Sequence, residues 1–531
     1  MTSIGFQGIS DISWLSAAAI VAFATFVSLL FTVLYRLIFH PLAAHPGPLL
    51  ARCTSWYAAY QSYTGNIHLD ILRCHELYGD VVRYRPNGLL FNTVEGLQDI
   101  YVHHNRTKKA RGYASFRGDG HVSIINAIDK DEHAPRRRIL SRAFSIAALQ
   151  RYEPLIVNTA KKFCDSLLGQ FSDNKNGHWW GPSLNMGELS SYFTFDVMSS
   201  VIFYSPQDLI AKAHGRSIIP GIESTMFLCG VSLEQPLLED FPVLKKLLFA
   251  DHCERARSFT TKVKQFTMER VALQEAQPVD DIFGSLLGSE TMKDSEKTLT
   301  PIELAADATV MMIAGTDTSS VAISGVFFYL SRNLDDYARL ASEIRTTFTS
   351  EEDIRPGSEL AGCLFLRACI DESMRLAPPV AAPLWREMRY QDAVAGVKLP
   401  KGVDAATCIY SIHRNPAYFK DPNEFRPTRW LPEFEGDTQV ESAKKAFAAF
   451  SLGSRGCIGK NLAYLEMTTV LAQIIYRAEW KVAGGTLGKV GETSIGENGA
   501  VDYKIKSHFT SEKVGPFIQI KSRDLEGSST T

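Results

Sequence analysis

The 531-residue sequence has no Cys-x-x-Cys pair, no excess of charge of either sign and no internal repeat. Its nine cysteines are an odd number and are scattered along the chain, which indicates reduced thiols in a cytosol-facing protein. The formal net charge of −2 gives no indication of a nucleic-acid partner. No glycine- or serine-rich linker divides the chain after its N-terminal region, so we expect one large catalytic domain.

Charge is also missing from residues 12–35, which are mostly Ala, Val, Leu, Ile and Phe. A stretch of this length crosses a bilayer as a helix, since about 20 residues are needed per span. A cleaved signal peptide would have a basic start and a shorter apolar core. No Lys or Arg precedes the span, whereas Arg36 and Arg52 follow it. The sequence therefore predicts a single-pass anchor over residues 1–40, with the rest of the chain in the cytosol.

Three prolines, Pro41, Pro46 and Pro48, follow the apolar segment within eight residues. Proline cannot continue a helix, because its ring removes a backbone donor and clashes with the preceding turn. We expect a stiff hinge over residues 41–50 and a catalytic domain over residues 51–531.

One cysteine, Cys457, lies on a loop with three glycines, in the sequence Phe-Ser-Leu-Gly-Ser-Arg-Gly-Cys-Ile-Gly. Glycines let the backbone pass close to a flat cofactor and turn amide groups toward the sulfur. Leu462 and Leu465 belong to an apolar helical pattern that follows, and a helix N-terminus favours a thiolate. A buried structural cysteine is the simpler alternative for a lone thiol. The setting favours a thiolate metal ligand.

The fixed positions of this loop, Phe450, Gly453, Arg455, Cys457 and Gly459, match the pattern Phe-x-x-Gly-x-Arg-x-Cys-x-Gly. Here the sequence resembles the haem-binding loop of the cytochrome P-450 family. The resemblance implies the cytochrome P-450 fold, mainly α with small β regions, preceded by one N-terminal transmembrane helix. It also implies haem b, iron protoporphyrin IX, with the thiolate of Cys457 as axial ligand and with Phe450 and Gly459 beside the cofactor.

Upstream of the loop, Glu372 and Arg375 are one turn apart in a helical pattern. Such a pair says little alone, because an i,i+3 pair on a helix surface contributes only a few tenths of a kcal/mol. The order of motifs resembles that of the family, in which Arg429 of the Pro-x-Arg segment joins the pair. The resemblance implies a buried structural triad of Glu372, Arg375 and Arg429.

Haem carries two carboxylates, which need cationic partners when they are buried. The family resemblance points to Arg386 after the Glu-x-x-Arg helix, to Arg137 in the early helix and to Arg455 in the cysteine loop. His133 stands where the family has tryptophan. It is a further candidate donor to a haem carboxylate, with a simple helix-start role as the alternative.

An apolar segment over residues 302–330 contains Gly315, Asp317 and Thr318. Glycine and hydroxyl residues weaken helical hydrogen bonds, so we expect a kink or a widened turn there. In the family this element handles oxygen. The resemblance implies that Gly315 makes room beside the haem, that Asp317 relays protons from solvent and that Thr318 donates a hydrogen bond to bound oxygen.

Two further groups of residues are candidates for a functional role. His413 is a weak candidate for an axial ligand, because the cysteine loop already supplies one. Basic residues near the early helix and the cysteine loop are candidates for docking an acidic flavoprotein, and a solvated helix face is an equal alternative: Arg136, Arg137, Arg138, Arg142 and Lys460.

Together these motifs predict a haem-thiolate monooxygenase that uses O2 and electrons from NADPH. NADPH–cytochrome P-450 reductase is the expected electron donor, and cytochrome b5 is a second candidate. The anchor and hinge resemble those of fungal microsomal enzymes of secondary metabolism, which implies the endoplasmic reticulum membrane. Two alternatives remain: an isomerase or dehydratase that needs no reductase, and a haem-binding sensor.

We expect the substrate to be a small lipophilic molecule, such as a terpenoid, polyketide, steroid or indole-type compound. The segments that motif order places around the pocket are largely apolar: residues 113–125, 306–318, 380–384 and 507–510. Hydroxylation is the expected default outcome, and the sequence does not choose between it and epoxidation, desaturation or ring rearrangement.

Overall fold

A computed structural model describes residues 14–103, 106–118, 120–169, 180–276, 281–287, 300–495 and 499–523. Thirteen residues of the predicted anchor, 1–13, lie outside this part of the chain. The α-helices, in chain order, are α1 Trp14–Leu34, α2 Leu49–Cys53, α3 Trp56–Tyr63, α4 Ile67–Tyr78, α5 Val94–Tyr101, α6 Lys130–Ala143, α7 Ile146–Gly169, α8 Met186–Phe203, α9 Ile219–Glu234, α10 Leu237–Asp240, α11 Pro242–Leu248, α12 Ala250–Ala276, α13 Ile282–Leu287, α14 Pro301–Leu330, α15 Leu334–Thr347, α16 Ser358–Gly362, α17 Leu364–Leu376, α18 Ile409–Ile412, α19 Pro432–Glu435, α20 Asp437–Ala446 and α21 Lys460–Arg477.

Short strands complete the fold, so the prediction of a mainly helical protein with small β regions is confirmed. The strands are β1 Val81–Arg85, β2 Gly88–Phe91, β3 Thr107–Lys109, β4 Leu184–Asn185, β5 Arg386–Met388, β6 Asp392–Val394, β7 Val397–Leu399, β8 Asp404–Ala406, β9 Ala478–Val482, β10 Glu492–Ile495, β11 Ala500–Tyr503, β12 Ile505–Ser507, β13 Ser511–Lys513 and β14 Phe517–Ser522.

In the described part of the chain, two helical segments are long and apolar enough to cross a membrane, and they differ in burial. Ser16–Phe39, which includes a π-helical turn at its end, has a mean hydropathy of 2.4 and none of it is buried. The second, α14, is 78% buried inside the domain. The exposed N-terminal helix is therefore the candidate membrane span, as predicted, and α14 is a core helix.

The predicted hinge is attached to the domain. The backbone N–H of Arg83 in β1 donates to the carbonyl of Pro46 at 2.7 Å, and its guanidinium donates to the carbonyl of Arg36 at 2.7 Å. Gly47 has a φ of +158°, and a Cβ there would lie 2.2 Å from the Arg83 carbonyl oxygen. Helix α2 already begins at Leu49. These contacts fix the end of the anchor against the first sheet.

Helix α14 passes through the middle of the domain and packs against α8 and α17. A capping box of Thr300 and Glu303 begins the helix. The helix stays α-helical through Gly315, so the predicted widening is not observed. A Cβ on Gly315 would lie 2.2 Å from the sulfur of Met198 in α8, so a larger residue there would require the Met198 side chain to move.

Two small sheets position the site. The larger has the strand order β1-β2-β8-β5-β3, in which β2 and β8 are parallel and the other neighbours antiparallel. Its β3–β5 pair sets Lys109 directly opposite Arg386. The hairpin β12–β13 pairs Ser507 with Ser511, so three residues form its tip. The N–H of Ser511 donates to the Pro379 carbonyl at 2.8 Å, which holds the hairpin against the segment that follows α17.

Candidate active site

A cavity lies between α14 and the loop that contains Cys457. Cys457, Phe450 and Gly459 line one side of it, and Gly315 and Thr318 line the other. The sequence motifs that are about 140 residues apart are therefore the two walls of one chamber.

The local sequence of the cysteine loop explains its shape. Gly453 has a φ of +68°, and a Cβ there would lie 2.0 Å from the Tyr101 carbonyl oxygen, so only glycine fits. A short 3₁₀ turn covers Gly453–Arg455, and the N–H of Cys457 donates to the Phe450 carbonyl at 2.8 Å. Helix α21 begins three residues after the cysteine. The thiol is exposed into the cavity.

Opposing effects act on the Cys457 thiol. Burial raises its pKa, while the backbone N–H groups of Gly459 and Lys460 and the charges of Arg137 and Lys460 lower it. The N–H groups are those of the helix start that the sequence predicted. Burial is the largest of these effects, so the pKa of the thiol is raised overall.

Gly459 leaves open space beside the Cys457 sulfur. A Cβ on Gly459 would lie no closer than 3.9 Å to either Cys457 Sγ or the Phe144 ring, so no protein neighbour forces glycine at this position. The missing side chain leaves room on the cavity side of Cys457, where a flat group can approach the sulfur.

Four cationic side chains converge on one edge of the cavity. Lys109, Arg386 and Arg455 line the cavity itself, and Arg137 lines a pocket that opens beside it. The Lys109 ammonium is fully enclosed and donates to the carbonyls of Ile124 and Ile125. Burial and the nearby arginines hold its pKa well below the usual range for lysine. Sequence analysis did not find Lys109, because its position opposite Arg386 arises only from strand pairing.

The three arginines of this group also donate to neutral oxygens. Arg455 donates to the carbonyls of Ala127 and Ile128 at 2.5 and 2.8 Å, Arg137 to that of Gly456 at 2.7 Å, and Arg386 to backbone carbonyls and the Tyr113 hydroxyl. None of these arginines, nor Lys109, makes an ion pair with a carboxylate in the described part of the chain. Like charges directly opposite on a sheet are destabilising. The cluster therefore fits a group that carries more than one negative charge.

His133 lies among the same cations but faces the side pocket rather than the main cavity. Burial and the charges of Arg455 and Lys109 lower its pKa to about 3, so its imidazole is neutral at physiological pH. His133 can donate one hydrogen bond, but it adds no charge.

On the opposite wall, the two residues of the predicted acid–hydroxyl pair point in different directions. Thr318 lines the cavity, and its hydroxyl donates to the Ala314 carbonyl at 2.5 Å. Asp317 does not line the cavity. Its carboxylate accepts a hydrogen bond from the Thr510 hydroxyl and lies 3.7 Å from the Lys513 ammonium. Because successive residues of a helix point about 100° apart, the Asp317 carboxylate and the Thr318 hydroxyl face different sides of α14.

Sequence comparison identifies the protein family. A family model described as Cytochrome P450 matches residues 46–494. The chain belongs to the cytochrome P450 family. Membership of this family implies a haem-thiolate cofactor.

Curated fungal proteins are similar to this P450 along nearly their whole length. The cytochrome P450 monooxygenase poxM of Penicillium oxalicum is 37% identical over 92% of each chain. The monooxygenase apf7 of Gibberella fujikuroi is 37% identical over 96% of this chain and 99% of its own, and atnE of Emericella nidulans is 35% identical over 92% and 94%. This P450 is a monooxygenase.

The triad of Glu372, Arg375 and Arg429 in this P450 is a buried cluster. Arg375 donates to both oxygens of Glu372 at 2.9 Å, and Arg429 donates to one of them at 3.1 Å. Two donors that sequence analysis missed complete the set: the indole N–H of Trp430 and the backbone N–H of Arg426. The cluster lies outside the cavity lining, so it acts on structure.

Two other candidates have structural surroundings. The ring nitrogens of His413 lie 3.1 Å from the Arg375 carbonyl and 2.9 Å from the Ala448 N–H, away from the cavity. Burial lowers the pKa of His413 to about 3. Arg136 is buried and pairs with Asp307 and Glu303 of α14, so the prediction that it is a docking charge is wrong. Arg138 lines the side pocket.

One cavity-lining acid was also missed. Glu466 in α21 faces the cavity from the thiol side, and one of its oxygens has no hydrogen-bond partner among the described residues. Burial holds its pKa well above the usual range, with only a contact to Ser319 opposing the shift. Burial therefore favours the protonated form of Glu466 beside the chamber.

Proposed function

We propose that this P450 oxidises a small lipophilic molecule with O2 and with NADPH electrons delivered by a reductase. The observation that carries the proposal is the Cys457 thiol facing the Thr318 hydroxyl across a chamber whose other walls are largely apolar. Haem, when bound, supplies the activation of dioxygen and the insertion of one oxygen atom into the substrate. The rest of the reaction depends on residues of this chain.

Holding the cofactor requires a sulfur ligand and cations for its two carboxylates. Cys457 would hold the haem iron through its sulfur, and Arg386, Arg455 and Lys109 would contact the two haem carboxylates. Arg137 and His133 would act from the side pocket. Ion pairs and charge-assisted hydrogen bonds of this kind are strong when they are shielded from water.

The chamber above the cofactor selects the substrate by shape and apolarity. Tyr113, Phe116 and Phe509 form a connected aromatic group on its wall, with ring centroids 4.6 to 6.3 Å apart. Met198 and Met226 add adaptable apolar surface. This lining suits a terpenoid, polyketide or indole-type scaffold from secondary metabolism, and hydroxylation is the default outcome.

One observation favours a second function, a haem-thiolate isomerase or dehydratase that needs no reductase. Asp317 does not reach the chamber, so the usual acid partner of Thr318 is turned away from it. Omitting NADPH and reductase distinguishes the two functions. Conversion of substrate without them would establish the second.

We also propose that Ser16–Phe39 anchors the enzyme in the endoplasmic reticulum membrane with the domain in the cytosol. Removing residues 1–39 should release a domain that still binds haem, because the anchor takes no part in the core. Membrane fractionation and haem content measure the two effects. A truncated chain that never takes up haem would contradict this division.

The test of function uses microsomes that contain the full chain and NADPH–cytochrome P450 reductase. Terpenoid, polyketide and indole scaffolds are added, and the Soret shift, NADPH consumption and products are recorded. Omitting cytochrome b5 shows whether it is a second donor. Cys457→Ser should lose haem or its thiolate spectrum, because a serine hydroxyl is not ionised at neutral pH. A reduced, CO-bound variant with an unchanged thiolate spectrum would place the ligand elsewhere.

A further inference from the structure

Asp307 lies one turn before the part of α14 that lines the chamber. Val310, Met311, Ala314 and Thr318 line the chamber from this helix, and they follow Asp307 at intervals of 3, 4, 7 and 11 residues. These intervals place Asp307 on the same face of the helix. Its side chain is completely buried and does not line the chamber. A neighbouring segment of the chain therefore covers it.

The two oxygens of the Asp307 carboxylate have different partners. The backbone N–H of Ile124 donates to Oδ1 at 2.8 Å, and the guanidinium of Arg136 in α6 donates to Oδ2. The same guanidinium also donates to Glu303 at 3.0 Å. The arginine supplies the counter-charge that a buried carboxylate requires, and the remaining oxygen holds the backbone at Ile124.

Ile124 belongs to residues 120–128, here called the wall segment, which contain neither a helix nor a strand. Ile124 and Ile125 line the chamber. Within the segment, the N–H of Ala127 donates to the Ser123 carbonyl at 3.0 Å. This contact gives the segment a turn, but its position against the chamber depends on side chains from elsewhere in the fold.

Three charged side chains from separate elements hold the wall segment by its backbone. Asp307 of α14 accepts a hydrogen bond from one N–H of the segment. Lys109 of β3 donates to two of its carbonyls, and Arg455 of the cysteine loop donates to two more. The two cations are also residues that would contact the haem carboxylates. Asp307 is therefore the member of the three that can be changed without altering the cofactor contacts.

We propose that Asp307 is a positioning residue that fixes the wall segment and so determines which substrates fit the chamber. With Arg136 as its partner, it holds Ile124 and Ile125 in a defined position. A fixed wall lets the chamber select a lipophilic molecule by shape, since hydrophobic attraction itself has no direction. This inference rests on the proposed function, because it takes the chamber as the substrate site.

The first experiment measures amide hydrogen exchange at Ile124 in the haem-loaded full chain. Asp307→Leu together with Arg136→Met removes the hydrogen bond without leaving either member of the ion pair as an unpaired buried charge. Replacing a buried ion pair by apolar residues is often close to neutral in stability. The peptide that contains Ile124 should exchange about tenfold faster in this double variant, while peptides of α21 keep their protection.

Two further variants separate positioning from general stability. Asp307→Asn together with Arg136→Gln offers an amide oxygen to the Ile124 N–H and replaces the ion pair by two amides, so protection should return. Glu303→Gln changes the other acidic partner of Arg136 but not the acceptor of the Ile124 N–H, so it should leave the exchange unchanged.

Three results of the exchange experiment would overturn the proposal. The first is unchanged exchange at Ile124 in the apolar double variant, and the second is an equal increase in Glu303→Gln. The third is faster exchange throughout α21 in the apolar double variant, because Asp307 would then stabilise the domain as a whole.

The second experiment tests selection with two azoles that coordinate haem iron, imidazole and the much larger clotrimazole. Binding to the haem-loaded full chain is followed by the Soret shift. In the apolar double variant the affinity for clotrimazole should fall about tenfold, or about 1.4 kcal/mol, because binding must then order the wall segment. The affinity for imidazole should stay constant, because its contacts are confined to the iron. A constant ratio of the two affinities would overturn the proposal.

Failure of this proposal and failure of the proposed function give different results. Both measurements need haem, but neither needs turnover. A full chain that oxidises no scaffold with NADPH and reductase would refute the proposed function. The exchange at Ile124 and the azole affinities would still decide the role of Asp307.

Discussion

Two buried carboxylates, Glu372 and Asp317, differ in the number of hydrogen-bond donors that surround them. Glu372 accepts hydrogen bonds from two arginines, one indole and one backbone N–H. Asp317 has one hydroxyl donor and an ammonium group at 3.7 Å. Both side chains are almost completely enclosed, so the number of donors, and not burial, is what differs.

The pKa values respond to this difference in opposite directions. Burial alone would raise the pKa of Glu372, but the charges and hydrogen bonds of Arg375 and Arg429 lower it overall. Burial raises the pKa of Asp317, and its two partners offset only part of the increase. A carboxylate with every lone pair occupied stays ionised and fixes structure, whereas one with few donors can change its protonation state.

The largest expected effect on stability comes from changing Glu372, whose two carboxylate oxygens both accept hydrogen bonds. Glu372→Gln leaves Arg375 and Arg429 as uncompensated buried charges, so the free energy of unfolding should fall by about 3–5 kcal/mol. Thermal unfolding and haem content of the full chain measure this loss. The control is Glu441→Gln on the exposed side of α20, which should change neither. Equal stability of the two variants would mean that the triad is not structural.

A smaller effect isolates a single donor to Glu372. Trp430→Phe removes an indole hydrogen bond of 3.1 Å to the carboxylate, which should cost about 1.5–3 kcal/mol. Trp480 is the matched control, because its indole N–H is buried without a partner among the described residues. Trp480→Phe loses ring area but no hydrogen bond, so the difference in unfolding free energy between the two variants measures the bond to Glu372.

Near Asp317, the buried acid Glu223 should make the free energy of unfolding depend on pH. The folded-state pKa of Glu223, about 7, lies above its unfolded value of 4.5. Its contribution to stability is therefore fully present below about pH 4.5 and is lost as the pH rises through 7. Relative to Glu223→Gln, the wild type should lose roughly 1–2 kcal/mol between pH 5 and pH 8. Urea unfolding at both pH values tests this, with exposed Glu254→Gln as control. Parallel curves for wild type and Glu223→Gln would contradict the assigned burial.

The smallest effect on stability is expected at Asp317 itself. Asp317→Asn keeps the shape of the side chain and removes a charge that burial already disfavours. Because Glu223 still interacts with the Lys513 ammonium, the unfolding free energy should change by at most about 1 kcal/mol. The rate of NADPH oxidation should nevertheless fall strongly. A stability loss as large as that of Glu372→Gln would remove the distinction between the two carboxylates.

Sequence patterns located features that depend on neighbouring residues. The loop around Cys457 follows from its glycines and from the helix start, and helix α14 follows from a long apolar run that a capping box begins. The exposed helix Ser16–Phe39 follows from the absence of charge. Each is determined within one stretch of chain, where periodicity, capping and turn chemistry act.

Long-range pairing decided the rest. Lys109 meets Arg386 because β3 and β5 are neighbours, and Arg136 is buried because α6 lies against Asp307 of α14. The same holds for Asp317, whose partners Thr510 and Lys513 belong to a hairpin far along the chain. The sequence alone determined the cysteine loop, because its glycines, its cysteine and the helix that follows all lie in one short segment. Which carboxylate stays fixed and which can exchange a proton depends on donors brought together in three dimensions, and only the tertiary structure decided that.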